Sequence, residues 1–386
     1  MTKSYKPKFI DFFAGAGGFS RGFSDAGFSP VAAFDNDPRC VETLTGNFSE
    51  SGMNCQLKDL ENLTSTECKK IIGPKAFNQI DIVIGSPPCL GFSKAGRAKR
   101  KNLKNSLGRI QSSSNSESNN LGKTYLKFIK KIKPSVFIFE NVEAMGTYEG
   151  GAFLEEILNR ISDENYKPYS MVLNALDYGV PQNRNRIFIA GVRNDIETEL
   201  LFPHKSTAKK TITVREAIGD LPVVNNGACQ SVIEYKPKWI SPYSVKMRKR
   251  MLGSAKNLVF DHVTRNQNKQ DLEAFSTLPQ GGRYVDLDKK YKRYRDDIFL
   301  DKYKKLFWSK PSWTVTAHLE HDCYSHIHPS RTPSRTISIR EAARLQSFPD
   351  HHFFAGNMGD RFRQIGNAVP PLLAEAIAKK LKKLFF

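Results

Sequence analysis

The sequence predicts an α/β fold, a parallel sheet flanked by helices, followed by a smaller irregular region and a helical return. Three observations carry this. Over residues 1–194 short apolar runs alternate with segments of helical period, and the first of those runs leads into a glycine turn. From about residue 195 the alternation gives way to Pro, Lys, Arg and aromatic residues. A chain of 386 residues also exceeds what one hydrophobic core commonly serves, so it is divided into residues 1–194, residues 195–332 and a closing segment, 333–386.

The strands are expected in order at Lys8–Phe12, Pro30–Phe34, Ile80–Ile84, Val136–Phe139, Met171–Asn174 and Arg186–Gly191, each a short apolar run bounded by turn or charged residues. Leu121, Tyr125, Phe128, Ile129 and Ile132 keep a helical period, and Pro134 ends that helix just before the next strand. Phe153, Leu154, Ile157, Leu158 and Ile161 define a second helix. At the C-terminus Val369, Leu372, Leu373, Ala376, Ile377, Leu381 and Leu384 share a face, so the last segment is expected to pack back on the first domain.

Three stretches fit no such element. Lys94–Arg109 holds seven basic residues and no acidic one, and Gln111–Asn120 has no apolar residue. A loop of that length is functional or disordered, and its charge suits closure over a phosphate backbone. Tyr235–Lys256 again carries seven basic residues without an acid. Tyr284, Tyr291, Tyr294, Phe299, Tyr303, Phe307 and Trp308 are interleaved with Lys and Arg, which suits either phosphate contact with base stacking or a core beneath a basic face.

Composition narrows the class of partner. Lys and Arg number 59 against 39 Asp and Glu, a formal charge of +20, which favours nucleic acid over acidic lipid because no basic amphipathic helix dominates. The longest apolar run falls far short of a bilayer span, and no apolar stretch follows the first lysines, so a cytosolic protein without membrane spans is expected. The six cysteines, at 40, 55, 68, 89, 229 and 323, form no CxxC pair and read as reduced thiols.

Five groups at strand ends carry the chemistry. Phe9–Gly18 runs from a strand into a glycine turn that opens a helix, where backbone can approach a nucleotide-like ligand and free N–H groups face it. Its spacing, Gly15, Gly17, Gly18 and then Ser20, is not GxGxxG, which disfavours a pyrophosphate cofactor and with it a nicotinamide oxidoreductase. Asp35 stands twenty residues after Gly15 at the next strand end, placed to accept from ribose hydroxyls. Gly85–Ser93 (GSPPCLGFS) follows a buried strand; Pro87 and Pro88 stiffen the turn and hold the Cys89 thiol in one place, as a nucleophile requires. Glu140 ends a further strand, where an apolar setting would raise its pKa, and Arg184 and Arg186 precede the last. Thiol, acid and guanidiniums together imply addition to an electron-poor ring.

The ordered blocks FIDFFAGAGG, GSPPCLGFS, ENV, QNRNR, RTISIREAARLQSFPD and RQIGNAVPP resemble the motifs of the DNA cytosine-5 methyltransferases of bacterial restriction-modification systems, and they span nearly the whole chain. The resemblance implies a Rossmann-like, class I S-adenosylmethionine-dependent methyltransferase sheet in 1–194 and a target-recognition domain in 195–332. It implies that Phe13, Gly15, Ala16, Gly17, Gly18 and Pro88 hold S-adenosylmethionine, that Asp35 takes the ribose hydroxyls and Asn36 lies against the adenine, that Asp59 and Leu60 read the adenine edge, and that Asn367 completes the pocket.

By the same resemblance Cys89, Glu140, Arg184 and Arg186 are the catalytic set: the thiolate adds to carbon 6 of a flipped-out cytosine, the acid bonds ring N3, and Arg186, backed by Arg184, fixes O2. Double-stranded DNA is the implied partner of a monomer, with a restriction endonuclease as its functional counterpart. Two departures stand out: Leu90 occupies a position where many relatives carry Gln, and the segment before Leu121 is longer than usual. Arg340 and Leu345 resemble part of a supporting helix. The spacing of His318, His321, Cys323, His326 and His328 matches no standard structural zinc pattern, and no metal is expected. A tRNA cytosine-5 methyltransferase and a non-catalytic DNA-binding protein on the same fold are the competing readings.

Overall fold

The computed structural model describes residues 5–87, 117–198, 201–205, 210–293 and 302–385. The chain forms two compact units. Met1–Asn174, Asn185–Lys205 and Leu373–Phe386 make one, and Ala175–Arg184 with Ser206–Leu372 make the other.

The first unit is built on a seven-stranded sheet: β1 (Lys8–Phe12), β2 (Ser29–Asp35), β3 (Asn54–Leu57), β4 (Ile82–Gly85), β5 (Val136–Val142), β6 (Tyr166–Asn174) and β7 (Asn185–Arg193), in the order β3-β2-β1-β4-β5-β7-β6. β1 to β5 are mutually parallel, so their carboxyl ends share one edge. The last pair corrects the all-parallel expectation. β7 runs antiparallel to both β5 and β6, because the short return through residues 175–184 reverses the chain as a hairpin does, whereas parallel neighbours need a long crossover. That reversal brings the start of β7, with Arg186, to the edge where β5 ends.

Sequence pattern locates the central strands and misses much of the margins. β4 and the first part of β5 are wholly buried and apolar, which makes them visible as runs. β3 (NCQL) is an edge strand with no fully buried residue, and no apolar pattern marks it. β6, the other edge, starts at Tyr166 rather than Met171; it includes Pro168, which an edge strand tolerates, and leaves Met171 and Val172 exposed.

The helix Gly18–Asp25 covers one face of the sheet through Phe19 and Phe23, whose rings meet Phe9, Phe28 and Phe188 at 5.2–6.2 Å between centroids. On another face Phe128 lies against Phe12 at 4.8 Å, and the Tyr125 hydroxyl sits 3.1 Å from the carbonyls of Val83 and Ile138, binding the helix Glu117–Ile132 to β4 and β5. The C-terminal segment does return to this unit: Lys382 Nζ donates to Ala26 O at 3.2 Å and Phe385 meets Phe28 edge-on. The return begins only at Leu373, however, and not at residue 333.

Residues 333–372 belong to the second unit because their charged groups are satisfied there. The helix Ile339–Leu345 is buried along its whole length. Arg344 donates to Asp220 and Asp350 and to Ala217 O at 2.9 Å, and Arg335 makes a bidentate pair with Glu341 at 2.7 Å. Such fully enclosed charges are tolerable only when paired and hydrogen-bonded, so these residues fix where the segment packs. Arg340 is likewise buried, donating to Phe260 O at 2.9 Å.

The aromatic-basic stretch resolves in favour of a core at two positions. Tyr284 and Tyr303 are fully buried with Phe275 and Tyr324, and the hydroxyls of Tyr303 and Tyr324 both donate to buried Asp271. Tyr294 and Phe299 lie outside the described residues.

Candidate active site

The glycine turn is shaped by backbone that few residues adopt. Phe13, Gly15 and Gly17 have φ of 57°, 54° and 75°, in the left-handed region, and the turn closes with Gly17 N donating to Ala14 O at 2.9 Å. At Gly17 a side chain is excluded twice over, since a Cβ would stand 2.7 Å from the Phe48 ring and 2.8 Å from Leu44. At Gly15 the same position has nothing among the described residues within 4 Å, so its backbone is approachable. Ala16, Gly17 and Gly18 are buried and start the helix; Phe13 is half-buried against the core.

Asp35 ends β2 beside this turn. Its carboxylate accepts from Gly15 N at 2.8 Å and from Asp37 N at 2.9 Å, tying two strand ends together. Burial pushes its pKa up, against the backbone N–H groups that favour the charge. Asn36 next to it is exposed. Beyond β3, Asp59 caps a small turn, accepting from Glu61 N at 3.0 Å and Asn62 Nδ2 at 2.8 Å, while Leu60 is buried. Phe13, Gly15, Ala16, Gly17, Gly18, Asp35, Asn36, Asp59 and Leu60 therefore follow the carboxyl ends of β1, β2 and β3.

Further along the same edge stand Glu140 and Arg186. β5 continues three residues past the last pairing with β4, and there Val142 pairs with Arg186 and Glu140 with Phe188. Arg186 reaches diagonally across the ladder and its Nε meets Glu140 Oε1 at 2.9 Å. Glu140 is 6% exposed, so this is an enclosed ion pair at the edge where the parallel strands end, with a guanidinium fixing the direction of an acid.

Sequence reasoning overlooked Asn141. Its Nδ2 donates to Pro87 O at 3.2 Å and its Oδ1 accepts from Val142 N at 2.8 Å, so it ties the end of β5 to the proline turn two residues before Cys89. The available signal was an amide placed directly after an acid at a strand end. Gly85 opens that turn under a tight constraint: a Cβ there would stand 2.7 Å from both Phe12 O and the Tyr125 ring. Cys89, Pro88, Leu90 and the basic run Lys94–Arg109 lie outside the described residues.

Two further site expectations fall in the second unit. Arg184 is buried there and donates to the carbonyls of Val315 at 2.8 Å, Gly366 at 3.1 Å and Ala368 at 3.3 Å, the bonding of a structural tie. Asn367 is exposed at the end of the helix Met358–Asn367. The histidine-rich run is largely packed into the core: His326 lies against Trp313, His328 stands edge-on to Trp308 at 5.1 Å, and Cys323 Sγ accepts from Arg265 Nε at 3.3 Å. Among the described residues no three His, Cys, Asp or Glu side chains are arranged to hold a metal ion. No helix among them is long and apolar enough to cross a membrane.

Comparison with known proteins agrees with this geometry. A type II methyltransferase of Thalassovita gelatinovora (M.AgeI) is 31% identical over 97% of this chain and 99% of its own length. One of Haemophilus parahaemolyticus (M1.HphI) is 33% identical, covering 97% of this chain and 87% of its own. Among solved structures, an E. coli prophage-encoded protein described as a DNA modification methyltransferase superposes with a TM-score of 0.75 at 26% identity, over 98% of this chain and 99% of that one. An Entamoeba histolytica methyltransferase, at 14% identity and a TM-score of 0.58 over 99% of each chain, shares the fold alone. The family model described as C-5 cytosine-specific DNA methylase matches residues 7–383, and with the class I methyltransferase sheet and the Glu140–Arg186 edge in place, the chain belongs to the C-5 cytosine-specific DNA methylases.

Proposed function

We propose that this methylase transfers the methyl group of S-adenosylmethionine to carbon 5 of a cytosine flipped out of a specific DNA duplex, through a covalent bond between Cys89 and carbon 6, and that it protects DNA against a partner endonuclease in the cytosol. The observation that carries the reading is the Glu140–Arg186 ion pair on the edge that Asn141 ties to the Cys89 turn. The residues of the glycine turn fit the cofactor. Gly15 leaves its backbone approachable, Asp35 presents a half-buried carboxylate beside it, and Asp11, near the end of β1, keeps a buried carboxylate oxygen with no hydrogen-bond partner among the described residues. Phe13, Gly15, Ala16, Gly17 and Gly18 would hold it, with Asp35 on the ribose, Asn36, Asp59 and Leu60 about the adenine, and Pro88 and Asn367 completing the pocket. When bound, it supplies a methyl group activated by a sulfonium.

Carbon 5 of cytosine is a poor nucleophile, and the protein's groups change that. The Cys89 thiolate would form a bond to carbon 6 while Glu140, steered by Arg186 and carrying a proton, donates to N3 and draws electron density from the ring; carbon 5 would then take the methyl group as its bond to the sulfonium sulfur breaks, leaving the neutral thioether. Loss of the carbon-5 proton and cleavage of the carbon–sulfur bond restore the aromatic ring and the thiolate. Arg186, oriented by its contacts with Glu140 and with Asn185 O at 2.7 Å, would meet O2 of the base. Flipping costs a few kcal/mol, which the basic runs 94–109 and 235–256 offset at the phosphates.

A duplex carrying 5-fluorocytosine at the target tests this, because fluorine cannot leave as a proton does. An SDS-resistant protein–DNA adduct is expected with wild type and S-adenosylmethionine and is expected to vanish in Cys89→Ser. Active wild type without an adduct overturns the covalent route, and transfer to tRNA with none to duplex DNA overturns the substrate.

A further inference from the structure

β1 carries a buried acid that the proposed chemistry leaves unused. Asp11 is 1% exposed and stands one residue before the end of the strand that leads into the glycine turn. Its Oδ2 accepts from Ser20 Oγ at 2.6 Å, and Ser20 occupies the first turn of the helix Gly18–Asp25, whose preceding residue, Gly17, provides no side-chain cap. The acid thus does from the strand what a capping side chain would do from the helix. Its Oδ1 is buried without a partner among the described residues. Among the described residues the ionisable groups that interact with it are Asp35 from β2, the Cys55 thiol from β3 and the Tyr125 phenol from the helix Glu117–Ile132, all of which add negative charge or none. Burial, with a smaller contribution from Asp35, pushes its carboxyl up to about 7, opposed by the Ser20 hydroxyl and backbone N–H.

We propose that Asp11 is a positioning residue for the cofactor, holding the start of the Gly18–Asp25 helix under the turn through Ser20 and giving up its proton when a positively charged ligand occupies that turn. This rests on the S-adenosylmethionine site proposed above. Asp11 and Asp35 then hold the turn from two sides, one through Ser20 and the other through Gly15 N. A sulfonium favours the ionised acid and the stronger hydrogen bond that goes with it. One O–H bond of the Asp11 carboxyl breaks and its proton passes to solvent; nothing else changes covalently. Methyl transfer leaves a neutral thioether, so the demethylated product lacks this favourable term and the site releases it more readily.

Titration calorimetry near pH 7, in buffers of different ionisation enthalpy and without DNA, tests the idea on the full chain. Wild type is expected to release a fraction of a proton per S-adenosylmethionine bound and less with S-adenosylhomocysteine, and to bind the methyl donor more tightly as pH rises from 6 to 8. Asp11→Asn, which keeps an oxygen for Ser20 and loses the charge, is expected to bind the donor roughly tenfold more weakly, the scale of one charge-assisted hydrogen bond, with proton release and pH slope abolished. Ser20→Ala is expected to weaken binding by a smaller factor and retain the slope. Melting of unliganded Asp11→Asn at pH 8 is expected at or above the wild-type temperature, since an unpaired buried charge has been removed.

Wild-type affinity, proton release and slope in Asp11→Asn overturn the proposal, as does a variant that binds weakly only because it melts early at every pH. Failure of wild type itself to bind S-adenosylmethionine overturns the cofactor reading instead.

Discussion

Replacing Arg184 with Ala separates the two arginines that the sequence places together. Arg184 is 1% exposed and donates to three carbonyls, at 2.8, 3.1 and 3.3 Å, from two separate stretches of the second unit. Truncation leaves those acceptors buried, each unsatisfied acceptor costing about 1–3 kcal/mol, and opens a cavity where the side chain lay. The three costs do not add in full, because the longest bond is weak and removing the guanidinium recovers its desolvation. A net loss of about 3–5 kcal/mol is expected, in line with removing one partner from a buried charged contact. With a urea slope of about 2 kcal/mol/M the midpoint falls by roughly 2 M. Equilibrium unfolding followed by tryptophan fluorescence reports on this unit, because Trp239, Trp308 and Trp313 all lie in it. Methyl transfer per folded molecule at low temperature is expected to stay within about threefold of wild type. A midpoint unchanged within error, together with a collapse in transfer, would refute the structural role and return Arg184 to the reacting base.

Other perturbations have equally definite outcomes. Glu140→Gln keeps shape and volume and removes the acid, and single-turnover transfer is expected to fall by about 10²–10⁴-fold, the usual worth of a positioned proton donor, with cofactor affinity held; an unchanged rate excludes the acid. Asn141→Ala frees Pro87 O, and transfer is expected to fall by roughly 10²-fold with little change in melting, which kcat against Tm will show. Gly85→Ala forces a Cβ to 2.7 Å from Phe12 O, and a loss of about 1–3 kcal/mol in the first unit is expected by urea unfolding. In the second unit burial holds His326 and His328 down to about 3, so the folded form resists protonation that the unfolded chain accepts. Their contribution is present above pH 6.5 and is lost progressively as pH falls toward 3, and melting of this unit recorded from pH 8 to 4 is expected to drop through that window.

Much of the site was legible because buried strands announce themselves as apolar runs and because the groups at their carboxyl ends fall in fixed order. Glu140 and Arg186 were assigned to one edge from sequence, and the structure joins them. Strand direction is not encoded in periodicity, so the reversal of β7 was missed although its residues were placed correctly. The edge strand β3 was missed because, with no fully buried face, NCQL has no reason to be apolar. The surroundings of Arg184 were not legible for a related reason. It stands two residues before Arg186, and nothing in QNRNR reveals that the chain enters β7 between them, leaving one guanidinium among carbonyls of the second unit and the other on the sheet edge. Tyr284 and Tyr303 show the limit of composition, since aromatics among lysines suit a DNA surface and a core alike until burial decides.

The most direct test of the whole reading is the chemical identity of the product. Purified protein is incubated with methyl-labelled S-adenosylmethionine and duplex DNA, the DNA is digested to nucleosides, and the label is located by mass spectrometry. Label in 5-methyldeoxycytidine, absent with Cys89→Ser and sharply reduced with Glu140→Gln, is the expected result. Label on an exocyclic nitrogen of cytosine or adenine, or full transfer by Cys89→Ser, would contradict the assignment of this sheet edge to carbon-5 chemistry.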